Sequence, residues 1–261
     1  MTKPYRVDHF PVFFFGHGNP MNAIEVNQYS KAWRRIAEAL PRPKAILSIS
    51  AHWYIDATRV TSMDSPRTIH DFGGFPRELF EVEYSAPGSP SLAERACKLV
   101  RDCTPDLQWG LDHGTWSVLR HLFPNADVPV VQLSLDATKG PSDHAGIGRL
   151  LRPLREEGVL VIGSGNVVHN LHTYAWGKEA EPFDWAQRFD QTVRDRILEN
   201  DPEPLIDYTS LGRDANLSIP TPDHYLPLLY ILGMRAADDD VRFPVEGIEG
   251  GSVSMLTIEL A

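Results

Sequence analysis

The strongest constraint on the fold is the alternation of short apolar runs with helical patterns along the whole chain. Short runs rich in Val, Ile, Leu and Phe predict strands at 11–15, 45–50, 128–134, 159–163 and 252–260. Apolar residues at helical spacing predict helices at 28–40, 91–101, 143–157, 184–199 and 222–232. Strands that alternate with helices are typical of an α/β fold with a central, mostly parallel or mixed sheet flanked by helices.

Nothing in the sequence divides this pattern into separate units. The chain has 261 residues, of which 42% are hydrophobic, and it contains no internal repeat, low-complexity tract or Ser/Gly-rich linker. Single domains of this architecture commonly reach roughly 250 residues. We therefore predict one domain over residues 1–261.

The charge balance excludes some classes of partner. The formal net charge is -10, and the 25 Lys and Arg residues form no cluster of the kind that nucleic acid or an anionic membrane would require. The apolar run at 11–15 is too short to span a bilayer. Two cysteines, Cys97 and Cys103, fit a reducing compartment better than a disulfide framework. We predict a cytoplasmic protein with neither nucleic-acid nor membrane partners, and the sequence leaves the oligomeric state open.

Histidines stand beyond the ends of several predicted strands. The chain has ten histidines. His17 follows the first strand after one glycine, His52 follows the second after one alanine, and His169 comes shortly after the strand that ends at 163. In parallel sheets, ligands bind beyond the carboxyl ends of the strands. We therefore expect these three histidines at the same edge of the sheet.

Each histidine motif, taken alone, also fits a structural role. The glycines around His17 fit a plain strand-to-helix turn, and His52 could be a buried histidine with its hydrogen bonds satisfied. Thr221 and the following proline fit the start of a helix, which would place His224 in its first turn. Together, His17 and His52 indicate a metal pair, because imidazole is the commonest protein metal ligand and suits both Zn and non-haem Fe.

Three other motifs carry histidines in or near turns. The glycine-rich run at 163–170 lacks the Lys-Ser/Thr pair of a P-loop, so we interpret it as a turn that delivers His169. In the run at 111–116, Asp112 could hold the ring tautomer of His113. The run at 69–75 predicts a loop that covers a pocket with aromatic side chains, and we interpret His70 as a structural or rim residue.

Six motifs together carry a family resemblance: GHGNPM at 16–21, SAHW at 50–53, IHDFGGF at 69–75, DHG at 112–114, GNVVHN at 165–170 and TPDHYLPL at 221–228. This set resembles the DODA-type extradiol aromatic ring-opening dioxygenases, a branch of the class III extradiol dioxygenase superfamily. The resemblance extends from about residue 10 to the C-terminal strand.

The resemblance implies a single metal bound by His17, His52 and His224. It also implies that His113 and His169 act as acid–base residues next to the metal, and it allows His169 as a fourth ligand in the metal-loaded state. Fe(II) is the cofactor expected for activity, and Zn(II) is an alternative occupant of the same site.

The implied reaction takes a small aromatic diol and O2 as substrates. A catechol, such as DOPA or a similar dihydroxyphenyl compound, binds Fe(II) through both oxygens and opens beside the diol to a muconic semialdehyde. A neutral His169 would accept a hydroxyl proton, and a protonated His113 would assist cleavage of the O–O bond. Hydrophobic walls should flank the flat ring. The candidates are Phe72, Phe75, Trp116 and Tyr225.

Two alternatives stay open at this point. Non-haem Fe(II) oxygenases usually combine two histidines with one carboxylate, whereas the third ligand here is His224. Three histidines also suit a zinc-dependent hydrolase that activates a bound water. The second alternative is a non-enzymatic, Memo-like binding protein on the same fold.

Overall fold

The computed structural model describes residues 9–177 and 180–261, so residues 1–8 and 178–179 of the predicted domain lie outside the described residues. The strands are β1 Val12–Gly16, β2 Ala45–Ile55, β3 Arg59–Thr61, β4 Thr104–Asp106, β5 Val130–Asp136, β6 Val159–Gly165, β7 Val241–Val245, β8 Ile248–Glu249, β9 Val253–Ser254 and β10 Thr257–Leu260. The α-helices are α1 Gln28–Ala39, α2 Arg77–Phe80, α3 Pro90–Leu99, α4 His113–Leu122, α5 Pro141–Leu151, α6 Asp184–Leu198, α7 Glu203–Ile206, α8 Arg213–Ser218 and α9 Leu226–Gly233. Short 3-10 helices cover Pro20–Ala23, Arg152–Arg155 and Tyr208–Leu211.

Eight strands form one mixed sheet in the order β4-β3-β5-β2-β6-β1-β10-β7. The central strands β5, β2, β6 and β1 are mutually parallel, whereas β3 is antiparallel to β5 and β10 is antiparallel to β1. The α/β fold with a central mixed sheet flanked by helices is confirmed. The parallel core brings the carboxyl ends of β1, β2 and β6 to the same edge.

Apolar side chains of the central strands pack against helices on both faces of the sheet. Phe14 of β1 belongs to the buried cluster that includes residues of α5, α6 and α9. Its neighbours Phe13 and Phe15 belong to the other cluster, with residues of α1 and α4. Trp33 of α1 lies edge-on to Phe15 at a ring distance of 6.3 Å. A strand with apolar side chains on both faces is typical of a sheet covered on both sides.

Two element boundaries near the histidines differ from the prediction. Strand β2 continues to Ile55, so His52 lies within the strand and not after it. The register between β2 and β5 breaks between Ile49 and Tyr54, and this irregularity separates His52 from the regular ladder. Helix α9 begins at Leu226, so His224 lies in the turn before the helix and not in its first turn.

The remaining differences concern short or irregular elements. The predicted helix at 143–157 ends at Leu151 and continues as a 3-10 helix, and the predicted strand at 252–260 is split into β9 and β10. Helix α4, which begins at His113, was not predicted. Among the described residues, no helix combines the length and apolarity needed to cross a bilayer.

A buried ion pair ties the C-terminal strand to the rest of the sheet. Arg155 is 1% exposed. Its guanidinium donates to both carboxylate oxygens of Asp239 at 2.7 Å. It also donates to the carbonyl oxygens of Phe10, Met234 and Leu260. Burial would raise the pKa of Asp239, but the hydrogen bonds and charge of Arg155 hold it below its usual range.

We expect Asp239→Ala to lower the free energy of unfolding by about 3–5 kcal/mol, because it leaves the buried Arg155 charge without a counter-charge. Urea denaturation at pH 7 measures this loss. Asp127→Ala is the control, since Asp127 pairs with Arg42 on the surface and should cost at most about 1 kcal/mol. Folding lowers the pKa of Asp239, so its ionised carboxylate stabilises the folded protein at any pH above the unfolded-state pKa. This stabilisation is lost as the pH falls through the folded-state pKa. Equal losses for the two variants at pH 7 would contradict this assignment.

Candidate metal centre

Three histidine rings meet at the carboxyl edge of the parallel strands. His17 follows β1, His52 lies near the end of β2, and His224 lies in the turn before α9. Their ring centroids are 5.0 to 5.4 Å apart. The Nε2 atoms of His17 and His52 are 3.2 Å apart. All three side chains can present ligand atoms within 4.8 Å of one another.

The position of His224 depends on a glycine in β6. A Cβ on Gly165 would lie 2.1 Å from the carbonyl oxygen of His224, so a side chain there would collide with this backbone. The same carbonyl accepts a hydrogen bond of 2.9 Å from the backbone N–H of Asn166. The missing side chain therefore allows the turn that carries His224 to approach the end of β6 closely.

Hydrogen bonding fixes the ring orientation of His17. Its Nδ1 lies 3.0 Å from the hydroxyl of Ser164 on β6. That hydroxyl donates its own proton to the carbonyl oxygen of Gly114 at 2.6 Å. Since the hydroxyl proton is already used, Ser164 accepts the Nδ1–H of His17. The lone pair of His17 is then on Nε2, which faces the other two rings.

Carboxylates hold the other two rings in the same way. Nδ1 of His52 lies 3.1 Å from the Asp71 carboxylate, and Nδ1 of His224 contacts the Asp223 carboxylate. A carboxylate can only accept, so both Nδ1 atoms carry a proton and both Nε2 lone pairs are free. Histidine ligands in metal sites commonly donate their second ring nitrogen in this manner. The three Nε2 atoms thus form a donor set that fits one metal ion.

His113 lies beside the three rings at the first position of α4. Its ring centroid is 3.9 Å from that of His52. Its Nδ1 is 2.9 Å from the Asp71 carboxylate, which also accepts the backbone N–H of His113. The expectation that Asp112 holds this ring is wrong. Asp112 is the N-cap of α4, and its carboxylate accepts hydrogen bonds from the side chains of Ser50 and Gln132.

His169 lies against the opposite side of the group. Its ring stacks on that of His224 with a centroid distance of 3.5 Å and an interplanar angle of 6°. Its backbone N–H donates to the carbonyl oxygen of Ser218 at 2.8 Å, and it forms an isolated bridge with Val253. In the described part of the chain, the two groups of mutually close ligand atoms are His17, His52 and His224, and His52, Asp71 and His113, and neither includes His169. A fourth-ligand role for His169 stays a prediction.

Burial keeps four of the five histidines neutral near pH 7. It lowers the pKa of His17 and His224, and neighbouring histidines add to the effect. Burial, and next to it the neighbouring ring of His224, lower the pKa of His169 to about 2. Burial and His52 lower the pKa of His113 to about 4, although Asp71 opposes them. Burial therefore outweighs the carboxylate partner of His113, and the proton-donor role of this residue stays a prediction.

His52 differs from the other histidines because carboxylates surround it. Burial lowers the pKa of His52, but the hydrogen bond that its ring donates to Asp71 and the charges of Asp112 and Asp223 raise it by more, so the pKa is raised overall. Burial alone would raise the pKa of Asp71. Its hydrogen bonds with His113 and His52 lower that pKa far below the usual range. Asp71 is therefore an ionised carboxylate that bridges a candidate ligand and a candidate acid–base residue.

The histidines form the floor of a cavity of about 170 Å³. Phe72 and Phe75, two of the four predicted substrate neighbours, form part of its wall, with their rings edge-to-face at 5.5 Å. The cavity is lined by His17, Gly18, Asn19, Pro20, His52, Phe72, Phe75, His113, His169, Leu171, Tyr174, Trp176, His224 and Val253. His70 lies outside this lining, where Nε2 contacts the carbonyl oxygen of Val82 at 2.9 Å.

Trp116 and Tyr225 do not line the cavity, which corrects the prediction that they flank the substrate. Both are 0% exposed. Trp116 packs behind Phe72 and donates from Nε1 to the carbonyl oxygen of Ile69 at 2.8 Å. The hydroxyl of Tyr225 donates to the carbonyl oxygen of Leu205 at 2.9 Å. Each aromatic ring is thus packed in the core, and its polar atom is hydrogen-bonded to a backbone carbonyl there.

Sequence reasoning missed several residues that shape the site. Asp71 and Ser164 hold histidine rings, and Leu171, Tyr174 and Trp176 line the cavity. Asp71 lies within the aromatic loop motif at 69–75, so a carboxylate among residues expected to cover a pocket was the available signal. Ser164 carried no comparable signal, because it is an ordinary small residue in a buried strand.

The fold and the site together define a class of protein: an α/β protein with a cluster of histidines that could hold a metal ion on the floor of an aromatic cavity. Comparisons with known proteins identify the family. The family model described as the catalytic LigB subunit of aromatic ring-opening dioxygenase matches residues 5–249. The chain belongs to the DODA-type extradiol aromatic ring-opening dioxygenases. These enzymes use a metal ion and O2 to open an aromatic ring.

Individual relatives cover nearly the whole chain. The 4,5-DOPA dioxygenase extradiol of Escherichia coli (strain K12) is 46% identical over 256 residues, which cover 96% of this chain and 94% of the relative. The 4,5-DOPA dioxygenase extradiol of Beta vulgaris is 36% identical, with 93% of each chain covered. The crystal structure of an uncharacterized Escherichia coli K12 protein superposes with a TM-score of 0.84 at 42% identity, covering 97% of this chain and 100% of that one.

Proposed function

We propose that this enzyme uses Fe(II) to cleave the ring of a catechol beside its diol, giving a muconic semialdehyde. The proposed substrate is DOPA or a similar dihydroxyphenyl compound. The observation that carries the proposal is the convergence of three free Nε2 atoms on the floor of an aromatic cavity, next to two further histidines. Relatives named 4,5-DOPA dioxygenase extradiol support the choice of substrate.

His17, His52 and His224 are the proposed Fe(II) ligands. Bound there, Fe(II) would supply a chelation point for both catechol oxygens and the means to activate O2. The protein's contribution is to fix the three rings before the metal arrives. Ser164, Asp71 and Asp223 provide this through the Nδ1 hydrogen bonds.

Phe72 and Phe75 orient the substrate in this proposal. They lie on the wall of a cavity whose floor is formed by histidines. A flat catechol ring would pack against the two phenyl groups while its hydroxyls face the floor. The same aromatic side chains exclude water from the reacting oxygens, which strengthens electrostatic interactions there.

His169 and His113 move protons in the proposed reaction. Ring opening adds O2 to the catechol and consumes no net proton, so protons from the hydroxyls must be accepted and returned. His169 lines the cavity as a neutral imidazole, so one of its ring nitrogens has a lone pair and is the proposed acceptor of a hydroxyl proton. His113 also starts neutral, and the Asp71 carboxylate on its Nδ1 would stabilise the imidazolium while the ring holds a proton.

The three-histidine donor set also suits Zn(II), which gives a second candidate function, a zinc-dependent hydrolase. Metal exchange separates the two. The chelated enzyme is reloaded with Fe(II) or Zn(II) and assayed with a catechol panel and with a hydrolysable aryl ester, in air and under strict anaerobiosis. We expect O2 uptake and a yellow product only with Fe(II) in air. Anaerobic turnover by the Zn(II) form would support the hydrolase and contradict the proposal.

We expect Asp71→Asn to weaken metal binding, turnover or both by about 10–100-fold. One carboxylate oxygen, Oδ2, accepts from the rings of both His52 and His113, and the other, Oδ1, accepts the backbone N–H of His113. An amide has only one acceptor oxygen, so its NH2 group must face one of these donors, and it carries no charge to stabilise the rings. Metal affinity is measured by chelator competition and turnover by O2 uptake. Asp56→Asn, an exposed carboxylate just after β2, is the control and should leave both unchanged. An Asp71→Asn variant with wild-type metal affinity and turnover would contradict the bridging role.

A further inference from the structure

The rim of the cavity differs chemically from its floor. The floor carries buried histidines, whereas the segment after His169 places Leu171, Tyr174 and Trp176 at the rim. Leu171 is 45% exposed and Trp176 is 54% exposed. We call Tyr174 and Trp176 the aromatic shelf. Large apolar side chains that are exposed beside a cavity commonly mark a binding surface.

Contacts with neighbouring segments hold the shelf in place. The two rings meet edge-on with a centroid distance of 4.7 Å. Tyr174 packs directly on Gly250, where a Cβ would lie 2.3 Å from the tyrosine ring. The backbone N–H of Ala175 donates to the carbonyl oxygen of Gly250 at 3.0 Å, and the side chain of Asn19 is hydrogen-bonded to Tyr174. The shelf is thus a supported surface at the cavity mouth.

The geometry of a catechol links the shelf to the substrate. The two hydroxyls lie on adjacent ring carbons, so the carbons opposite them face away from the floor when the hydroxyls face it. We propose that the aromatic shelf is the specificity subsite that contacts a substituent at this far end of the ring. The subsite would take 4-substituted catechols with an apolar first segment. This inference rests on the proposed catechol function.

The test compares two ligands that differ only at the far end of the ring, catechol and 4-ethylcatechol. Dissociation constants are measured by anaerobic calorimetry on the Fe(II)-loaded enzyme and on its variants. We expect Trp176→Ala to weaken 4-ethylcatechol binding about tenfold, the size of one good aromatic contact, and catechol binding less than about twofold. Trp176→Phe, which keeps an aromatic ring, should retain most of the preference. Leu198→Ala, an exposed residue at the end of α6, is the control and should change neither constant.

A second variant, Gly250→Ala, tests the contact between Gly250 and Tyr174 that supports the aromatic shelf. Gly250 has a φ of +51° and lies outside the cavity lining. Gly250→Ala should displace Tyr174 and reduce the same preference for 4-ethylcatechol. Equal weakening of both ligands by Trp176→Ala, or no change in either, would overturn the subsite.

The binding measurement separates this inference from the proposed function. Because it uses no O2, selective binding by an enzyme that consumes no O2 in air would support the shelf and contradict ring cleavage. If the Trp176→Ala enzyme turned over catechols with unchanged selectivity, this result would support ring cleavage and contradict the shelf. Failure of the wild-type enzyme to bind either ligand would overturn both.

Discussion

His17→Ala and His52→Ala are each expected to abolish metal binding and to reduce ring cleavage on the order of 10³-fold or more. Each change leaves only two of the three Nε2 atoms that lie within ligand distance of one another. Two imidazoles form an open, weakly binding site, and the carboxylates that hold His52 and His224 through Nδ1 cannot replace the missing lone pair.

The measurement is metal content by elemental analysis after reconstitution and desalting, followed by O2 uptake with a catechol. His172→Ala is the matched control, because this histidine is exposed and lies outside the cavity lining. It should keep wild-type metal content and activity. A His17→Ala enzyme that retains one metal per chain at wild-type affinity would contradict the ligand assignment.

His169→Ala is expected to keep the metal and to lose turnover by about 10²–10⁴-fold, the usual contribution of a general acid–base residue. The ring of His169 stacks on that of His224, so the alanine variant also removes support from a ligand. His169→Phe separates these effects, since a phenyl ring can stack but cannot accept a proton. We expect the phenylalanine variant to bind metal as the wild type does and to be as inactive as the alanine variant.

Metal content and single-turnover rates in the presence of saturating catechol provide the readout for the His169 variants. Loss of the metal from His169→Phe would make His169 a ligand in the loaded state. Near-normal turnover with the metal retained would instead show that His169 does not transfer the proton. The unaffected control is again His172→Ala.

The convergence of histidines was accessible from the sequence because it follows from topology. His17 and His169 come after strands that turned out to be adjacent and parallel, β1 and β6, and His52 lies near the end of the neighbouring β2. A strand end predicts a place on the sheet edge even when the strand order is unknown. The ligand and acid–base roles came from the family resemblance and stay proposals.

Other features of the site depend on contacts between distant parts of the chain. Asp71 contacts His113, which is 42 residues away, and Ser164 contacts His17 across 147 residues. No local pattern encodes such pairs. Adjacency in sequence misled in the case of Asp112, whose side chain caps helix α4 while the ring of His113 contacts Asp71. Aromatic character alone did not place Tyr225, which is buried in the core although it follows His224 in the chain.

Ring-opening dioxygenation places both atoms of one O2 in the product formed from a catechol. Isotope labelling tests this most directly. The Fe(II)-loaded enzyme is mixed with a catechol under ¹⁸O2, and the semialdehyde is reduced at once so that its aldehyde oxygen cannot exchange with water. Mass spectrometry of the trapped product is expected to show two ¹⁸O atoms, with one O2 consumed per catechol. A product that carries oxygen from labelled water instead, formed without O2 uptake, would contradict ring-opening dioxygenation at this site.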